Sequence, residues 1–442
     1  MPLSVRVGRP AAVAAAVALL FAFAPPAHAA GDPDLPKQWG MSAIGAPTAW
    51  SQGKTGTGIT IAVVDTGVDL AHSEFVKPNR LLPGLNLITP GTPPQDDNGH
   101  GTHVAGIAAA ALNGMGVAGV APDARILPIK VLDSTGSTVG DSVDRGIRWA
   151  ADQGAQVINL SLSGGGQEVF GPSTNEAVAY AWSKGSICVF AAGNSYLLSS
   201  GFADQNALVV SATDRHDQKP DYSNGVGSAK WGISAPGGGG TFAPLQDLIW
   251  STYWDGTHPN DYAYDAGTSM AAPHVAGAAA VLRSLGLTPQ QTVDRLLSTA
   301  KDLGPTGRDS TFGYGRLDVA KAVSGLPAAP ASSATTVASS TPGPSVLGET
   351  TSRTPTTITS EGVITPVPTT VANAKAASTS TTSPALAPST VDRGATASAS
   401  APTSGTKHDS GAGPWAWVAL AAVLVGAGAA GFVFRVRRPG GA

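Results

Sequence analysis

Short apolar runs alternate with longer segments of helical periodicity along the central part of the chain, between residues 59 and 237. The apolar runs are near-continuous in valine, isoleucine and leucine, which is typical of parallel strands covered by helices on both faces. Strands are predicted at residues 59–65, 125–132, 156–162, 186–192 and 207–212. Helices are predicted at residues 141–153, 174–184, 269–285 and 289–300. The pattern therefore predicts an α/β fold with an open, mostly parallel sheet and helices on both faces.

The first residues, 1–29, have the pattern of a secretory signal peptide. Two arginines precede a short apolar run, and the run is followed by the small-x-small sequence Ala27-His28-Ala29. A basic start, a short apolar run and small residues at the cut are typical of an export signal that is removed. Cleavage would leave a short extension, residues 30–38, before a globular domain at residues 39–326.

The C-terminal part of the chain has a different composition. Residues 327–413 are rich in threonine, serine, proline and alanine, and such a segment buries too little surface to fold, so it is predicted to be a disordered linker. Residues 415–434 carry no charge and are followed by three arginines in the tail at 435–442. This pattern predicts a transmembrane helix with a cytoplasmic tail, and hence an extracytoplasmic domain anchored by a single pass in the cell membrane.

Charge and cysteine content exclude some classes of function. The formal net charge is −3 and the central region has no run of basic residues, so nothing indicates binding to nucleic acid. Cys188 is the only cysteine, which rules out an internal disulfide, and its apolar neighbours predict a buried strand residue. His72, His103 and His274 are predicted to be structural, because no glutamate accompanies them as in a zinc protease helix.

Three short segments supply an acid, an imidazole and a hydroxyl in a fixed order. They are AVVDTGV at residues 62–68, NGHGTHVAG at residues 98–106 and GTSMAAPHVAG at residues 267–277. A serine hydroxyl is a poor nucleophile unless a base takes its proton, and the base needs a group that fixes its tautomer. Asp65, His100 and Ser269 fit these three roles.

The predicted strands give these residues a common location. Asp65 ends the first strand and Asn194 follows the strand at residues 186–192, so both emerge at the carboxyl edge of the sheet, where such folds bind ligands. His100 and Ser269 each begin a run of small residues. We therefore expect two closely packed, buried helices behind the site.

The three segments resemble the signature motifs of subtilisin-like serine proteases. The resemblance implies that Asp65 orients the base, that His100 is the base, and that Ser269 attacks the peptide carbonyl. It also implies an oxyanion hole made by Asn194 and the backbone N–H of Ser269. Catalysis by such an enzyme requires no cofactor.

The same resemblance implies two backbone edges against which an extended substrate would lie. The residues of these edges are Gly136, Ser137 and Thr138 on one side, and Ser161, Leu162 and Ser163 on the other. The family usually has glycine where Ser163 stands, which would alter the first subsite. The segments carry no strong charge, which favours a small or apolar residue before the cleaved bond.

A glycine-rich loop at residues 111–117 resembles the calcium loop of many subtilisins. Structural calcium would then use Asn113, backbone carbonyls and Glu74 as ligands. Calcium takes six to eight oxygen ligands, and only two side chains can be named here. A glycine-rich turn without metal is the alternative.

The order of segments resembles the mycosins, which are membrane-anchored subtilases of type VII secretion systems. The shared features are a short N-terminal extension too small for a folded pro-domain, a proline-rich linker and a C-terminal membrane helix. The main hypothesis is thus a membrane-anchored serine endopeptidase that acts on proteins or peptides outside the cytoplasm. The alternative is a mainly structural component of a secretion complex, with proteolysis secondary.

Overall fold

The computed structural model describes residues 32–77, 79–138, 140–162, 172–195 and 202–327. The predicted signal peptide and transmembrane helix, together with all but the first residue of the predicted linker, lie outside these residues. Within the described part of the chain, no helix combines the length and the apolar character needed to cross a membrane.

A seven-stranded parallel sheet forms the centre of the fold, with strand order β2-β3-β1-β4-β5-β6-β7. The strands are β1 (Thr60–Asp65), β2 (Leu85–Asn86), β3 (Arg125–Lys130), β4 (Val157–Leu160), β5 (Ile187–Ala191), β6 (Ala207–Thr213) and β7 (Trp231–Pro236). All five strands predicted from the sequence are present within one or two residues of their expected ends. The predicted α/β fold with an open, parallel sheet and helices is confirmed.

Helices cover both faces of the sheet, and the side chains of β1 show why residues 61–64 are continuously apolar. Ile61 and Val63 belong to one hydrophobic core, whereas Ala62 and Val64 belong to the core on the opposite face. The helices are α1 (Trp39–Ala43), α2 (Ala46–Ser51), α3 (His100–Ala109), α4 (Ser142–Asp152), α5 (Pro172–Ser183), α6 (Thr268–Ser284), α7 (Pro289–Thr299) and α8 (Val319–Val323). Each of the four helices predicted by range is present.

The two helices that carry small residues pack closely, as expected. At Gly277 of α6 a Cβ atom would lie 2.9 Å from the carbonyl oxygen of Ala108 in α3, so only glycine allows this approach. Both helices are buried along most of their length. They place His100 and Ser269, which stand at or near their N-termini, at the carboxyl edge of the sheet.

A separate antiparallel hairpin supports α3 from the side. It consists of β8 (Ile249–Tyr253) and β9 (Asp261–Asp265). The hydroxyls of Ser251 and Thr252 donate to the carbonyl oxygens of His103 and Thr102, at 2.8 and 2.7 Å. The hairpin therefore fixes the helix that begins at His100.

Cys188 lies in β5 and is buried. Burial raises the pKa of its thiol to about 12. A thiol that stays protonated at physiological pH is a poor nucleophile, so the structure agrees with a packing role.

Candidate active site

Asp65 and His100 lie in direct contact at the carboxyl edge of the sheet. His100 Nδ1 donates a hydrogen bond to Asp65 Oδ1 at 2.7 Å. The contact requires glycine at position 101, because a Cβ there would lie 2.1 Å from the carbonyl oxygen of Gly67 and 3.1 Å from Asp65 Cβ. The Asp65 side chain is fully buried, whereas the His100 side chain is 19% exposed. This pair can therefore hold the imidazole in one tautomer with Nε2 available as a base.

The charges around His100 favour its protonated form. Burial opposes the imidazolium, but Asp65 outweighs burial through its charge and its hydrogen bond, and Asp265 and Asp96 add to its effect. Together they raise the pKa of His100 to about 9. An imidazolium formed during a reaction would be stabilised here.

Ser269 is the second residue of α6, and its backbone is held by an exchange of hydrogen bonds with Ser161. Pro273 has no N–H, so it cannot donate to the Ser269 carbonyl four residues earlier. The Ser161 hydroxyl donates to that carbonyl instead, at 2.7 Å. Asn159 Nδ2 in turn donates to the Ser161 hydroxyl, at 3.0 Å. The backbone of Ser269 is thus tied to the end of β4.

The Ser269 hydroxyl donates to the carbonyl oxygen of Ser161 at 3.1 Å. Within the described residues no hydrogen bond joins it to His100. A rotation about one side-chain bond changes the direction of a serine hydroxyl. The structure therefore brings all three predicted residues to one edge but pairs only Asp65 with His100.

Asn194 is oriented by the residue before Ser269. The backbone N–H and the hydroxyl of Thr268 both donate to Asn194 Oδ1, at 3.0 and 2.9 Å. Asn194 Nδ2 faces the space beside Gly267, where a Cβ would lie 3.2 Å from Nδ2 and 3.6 Å from the Ser269 backbone nitrogen. Two N–H donors therefore flank the position that a Cβ of residue 267 would occupy.

The two expected substrate edges are only partly described. Gly136 has φ +77°, and the turn around it brings Thr138 into an antiparallel bridge with Leu132. Ser137 and Thr138 are exposed, while Ser161 and Leu162 are buried at the end of β4. Ser163 lies outside the described residues, so its effect on the first subsite stays a prediction.

The loop at residues 111–117 does bring Glu74 and Asn113 together. Glu74 Oε2 accepts from Asn113 Nδ2 at 3.0 Å, and Glu74 Oε1 accepts from Val117 N and from the Tyr262 hydroxyl. Burial raises the pKa of Glu74 to about 7. The described contacts of the Glu74 carboxylate are thus hydrogen bonds from protein N–H and O–H groups.

Asp32, which was not predicted to belong to this site, also binds the loop at residues 111–117. Its Oδ1 atom accepts from the backbone N–H groups of Asn113, Gly114 and Met115. Successive N–H groups that point inward bind anions such as carboxylates, whereas calcium would need oxygen ligands there. No group of three or more histidine, cysteine, aspartate or glutamate residues suited to a metal occurs in the described residues. Asp32 Oδ2 is buried and has no hydrogen-bond partner among the described residues, so the calcium site and the metal-free turn both stay predictions.

The three remaining histidines of the sequence analysis are buried and bonded to backbone carbonyls. His72 and His103 each donate through Nε2, to Asp261 and Ala263, and His274 donates through Nδ1 to Met270. Burial lowers the pKa of all three, to about 3 for His103 and about 4 for His274. They stay neutral and serve in packing.

Sequence reasoning missed three residues that shape the site: Asp96, Thr268 and Asp265. Thr268 lies within the segment at residues 267–277, and Asp96 lies two residues before the segment at 98–106. Aspartate often precedes a helix, which is a signal that could have been used for Asp96. Asp265 ends β9, which was not predicted as a strand. Its pKa is raised to about 7, because burial outweighs the attraction of His100.

A paired carboxylate and imidazole, a serine at a helix start and an amide donor, all at the carboxyl edge of a parallel sheet, define a serine hydrolase. Comparison with known proteins narrows the class. The Subtilase family profile matches residues 56–315, so the chain belongs to the Subtilase family and is a subtilisin-like serine protease.

Individual relatives agree with this membership. Thermitase of Thermoactinomyces vulgaris is 41% identical over 290 residues, which span 65% of this chain and 96% of thermitase. Subtilisin Savinase of Lederbergia lenta is 39% identical, over 61% of this chain and 93% of its own length. A solved protease of Pseudoalteromonas arctica superposes with a TM-score of 0.58 at 32% identity, over 66% of this chain and 98% of that one.

Proposed function

We propose that this protein is a membrane-anchored, extracytoplasmic serine endopeptidase that uses Asp65, His100 and Ser269 as its catalytic triad. The observation that carries the proposal is the 2.7 Å hydrogen bond between His100 Nδ1 and Asp65 Oδ1, at the edge where Ser269 also lies. This bond leaves His100 Nε2 as the free base.

The reaction follows from these positions. The Ser269 hydroxyl turns from the Ser161 carbonyl towards His100, and His100 Nε2 takes its proton as Oγ attacks the peptide carbonyl. The bond to the leaving amine then breaks, and His100 returns the proton to that amine. Water, activated by His100, hydrolyses the acyl-enzyme and restores Ser269.

Negative charge collects on the carbonyl oxygen during each attack. Asn194 Nδ2 and the Ser269 backbone N–H are the donors proposed to stabilise it, in the space beside Gly267. Because Thr268 already holds Asn194 Oδ1, the Nδ2 donor is aimed before substrate arrives. Such preorganised donors are commonly the largest electrostatic contribution to the rate.

Substrates are proposed to be proteins or peptides outside the cytoplasm. They would lie as an added strand between the edge at residues 136–138 and the edge at residues 161–163. The signal-like start and the apolar segment at 415–434 support export and anchoring. A flexible linker at residues 327–413 would span roughly 50 Å, so cleavage would be limited to proteins near the membrane.

The direct test compares Ser269→Ala with Ser298→Ala, which changes an exposed serine on α7. Each full-length protein is assayed for cleavage of a chromogenic peptide and for labelling by a fluorophosphonate. Loss of both signals in Ser269→Ala alone supports the proposal. Undiminished cleavage by Ser269→Ala would refute it. Fractionation of the cells and protease accessibility test the anchoring separately.

A second candidate function is a scaffold role in a type VII-like secretion complex. The segment order, with a proline-rich linker before an apolar segment and arginines, favours it. Cells lacking the protein are complemented with either the natural chain or Ser269→Ala. Normal secretion with the Ser269→Ala chain would support the scaffold, and loss of secretion would support proteolysis.

A further inference from the structure

Asp96 connects the two segments that carry Asp65 and His100. It lies in the loop before α3 and is only 1% exposed. Its carboxylate accepts five hydrogen bonds from side chains and backbone. The donors are the Thr66 hydroxyl, the N–H groups of Asn98 and Gly99, and the N–H and hydroxyl of Thr102.

These bonds join β1 to the first turn of α3. Thr66 directly follows Asp65, and its hydroxyl also accepts from the Gly101 N–H at 2.9 Å. Thr102 follows His100 by two residues, and its hydroxyl accepts from the Asp69 N–H at 2.9 Å. One carboxylate thus fixes the residue after the acid and the helix turn that contains the base.

From this geometry we propose that Asp96 is a positioning residue that holds His100 in register with Asp65 and Ser269 for proton transfer. The inference rests on the proposed triad. An anionic carboxylate suits the position because it only accepts hydrogen bonds, whereas an amide would turn an NH2 group towards some of the five donors. It also caps the N-terminus of α3, where negative charge is favoured.

A positioning role for the Asp96 carboxylate should also change the pH dependence of activity, which a purely structural role would not. Four titratable groups face or adjoin His100: Asp65 at the end of β1, Asp265 at the end of β9, Asp96 in the preceding loop and His103 one turn along α3. Loss of the Asp96 charge removes one of the three carboxylates that favour the imidazolium. The His100 pKa should then fall, and with it the pH at which activity appears.

The test uses full-length Asp96→Asn and measures kcat and KM for a chromogenic peptide across the pH range. We expect kcat to fall about 100-fold, as for a misplacement of about 1 Å, with little change in KM. The acid midpoint of kcat/KM should move to lower pH. Thr66→Val removes one donor but keeps the charge, so it should lower kcat by less and leave the midpoint in place. Circular dichroism confirms that each variant is folded.

Asp309→Asn is the matched control, because Asp309 accepts two backbone N–H groups in a loop that pairs with the region of β7 rather than with β1. It should leave kcat and the midpoint unchanged. A folded Asp96→Asn with kcat within about two-fold of the natural chain and an unmoved midpoint would overturn the proposal. If Asp96→Asn does not fold, unchanged kcat in folded Thr66→Val overturns it. Activity of Ser269→Ala would instead refute the triad itself.

Discussion

Asp265 is a buried carboxylate whose ionisation the fold opposes, and its removal should stabilise the protein at alkaline pH. It is 1% exposed, its Oδ1 atom accepts from the Ala266 N–H at 2.7 Å, and its Oδ2 atom has no hydrogen-bond partner among the described residues. Burial raises its pKa from 3.8 to about 7. An Asp265→Asn change keeps the shape and the contact with Ala266 but cannot ionise.

The magnitude follows from linkage between protonation and folding. Below pH 3.8 the Asp265 carboxyl is protonated in both the folded and the unfolded state, so its burial does not lower the free energy of unfolding there. As pH rises towards 7 the unfolded chain ionises first, and stability is lost until the folded group also ionises. At about 1.4 kcal/mol for each pH unit of pKa difference, the loss reaches about 4 kcal/mol above pH 7. Asp265→Asn should recover about this amount at pH 8 to 9 and nothing near pH 4.

The assay is urea unfolding between pH 4 and 9, with Ser269→Ala in every chain to prevent self-cleavage. Asp261→Asn is the control, since Asp261 lies on the same strand and makes the same contact with its next N–H but is partly exposed. A stability difference between Asp265→Asn and its parent that stays flat with pH would refute the reasoning.

In chains that keep Ser269, Asp265→Asn should also move the acid midpoint of kcat/KM to lower pH, because it removes a charge that stabilises the His100 imidazolium.

Three further outcomes test the oxyanion donor and the loop at residues 111–117. Asn194→Ala should lower kcat by about 10²–10³-fold with little change in KM, a range known from a donor of this kind in a subtilisin relative. Thr268→Val loses one of the two bonds to Asn194 Oδ1 and should lower kcat about five-fold, the equivalent of about 1 kcal/mol. If calcium binds at Asp32 Oδ2, which is buried without a hydrogen-bond partner among the described residues, EDTA should lower the melting temperature of Ser269→Ala protein and calcium chloride should restore it. An unchanged melting temperature would support the metal-free turn instead.

The sheet could be predicted from the sequence because its strands are buried on both faces. Residues 61–64 of β1 are all apolar because their side chains enter two different cores. β7 was missed because it contains Gly232 and ends at Pro236, which weaken the strand signal. The β8–β9 hairpin was missed for another reason: its polar residues, such as Ser251, are satisfied by α3 rather than by water. Only the tertiary contact explains that pattern.

The residues of the candidate site also fall into two groups: those that the sequence alone could identify, and those whose contacts depend on the tertiary fold. The residues proposed for the chemistry stand in three segments whose residue types point to nucleophilic catalysis, so sequence alone could name them. Most of the contacts that orient them could not be predicted, because the bonds join distant parts of the chain. Thr66 bonds to Asp96 across thirty residues, and Thr268 reaches Asn194 across seventy-four. Such partners depend on the packing of whole elements.

The exchange of hydrogen bonds between Ser161 and Ser269 gives a test of how the backbone of Ser269 is held in place. The Ser269 carbonyl accepts from the Ser161 hydroxyl because Pro273 supplies no N–H at that point of α6. Ser161→Ala should leave this buried carbonyl unpaired and destabilise the fold by about 1–3 kcal/mol.

Pro273→Ala restores a backbone N–H in reach of the same carbonyl, so it should recover much of the loss caused by Ser161→Ala. Urea unfolding of both single variants and the double variant, each with Ser269→Ala, measures the coupling between the two sites. Additive effects would show that the hydroxyl does not replace the missing N–H. If the two effects were independent, the stability of the double variant would equal the sum of the single effects. A double variant that is more stable than this sum by about 1 kcal/mol or more would show that the bond from Ser161 compensates for the proline one turn after Ser269.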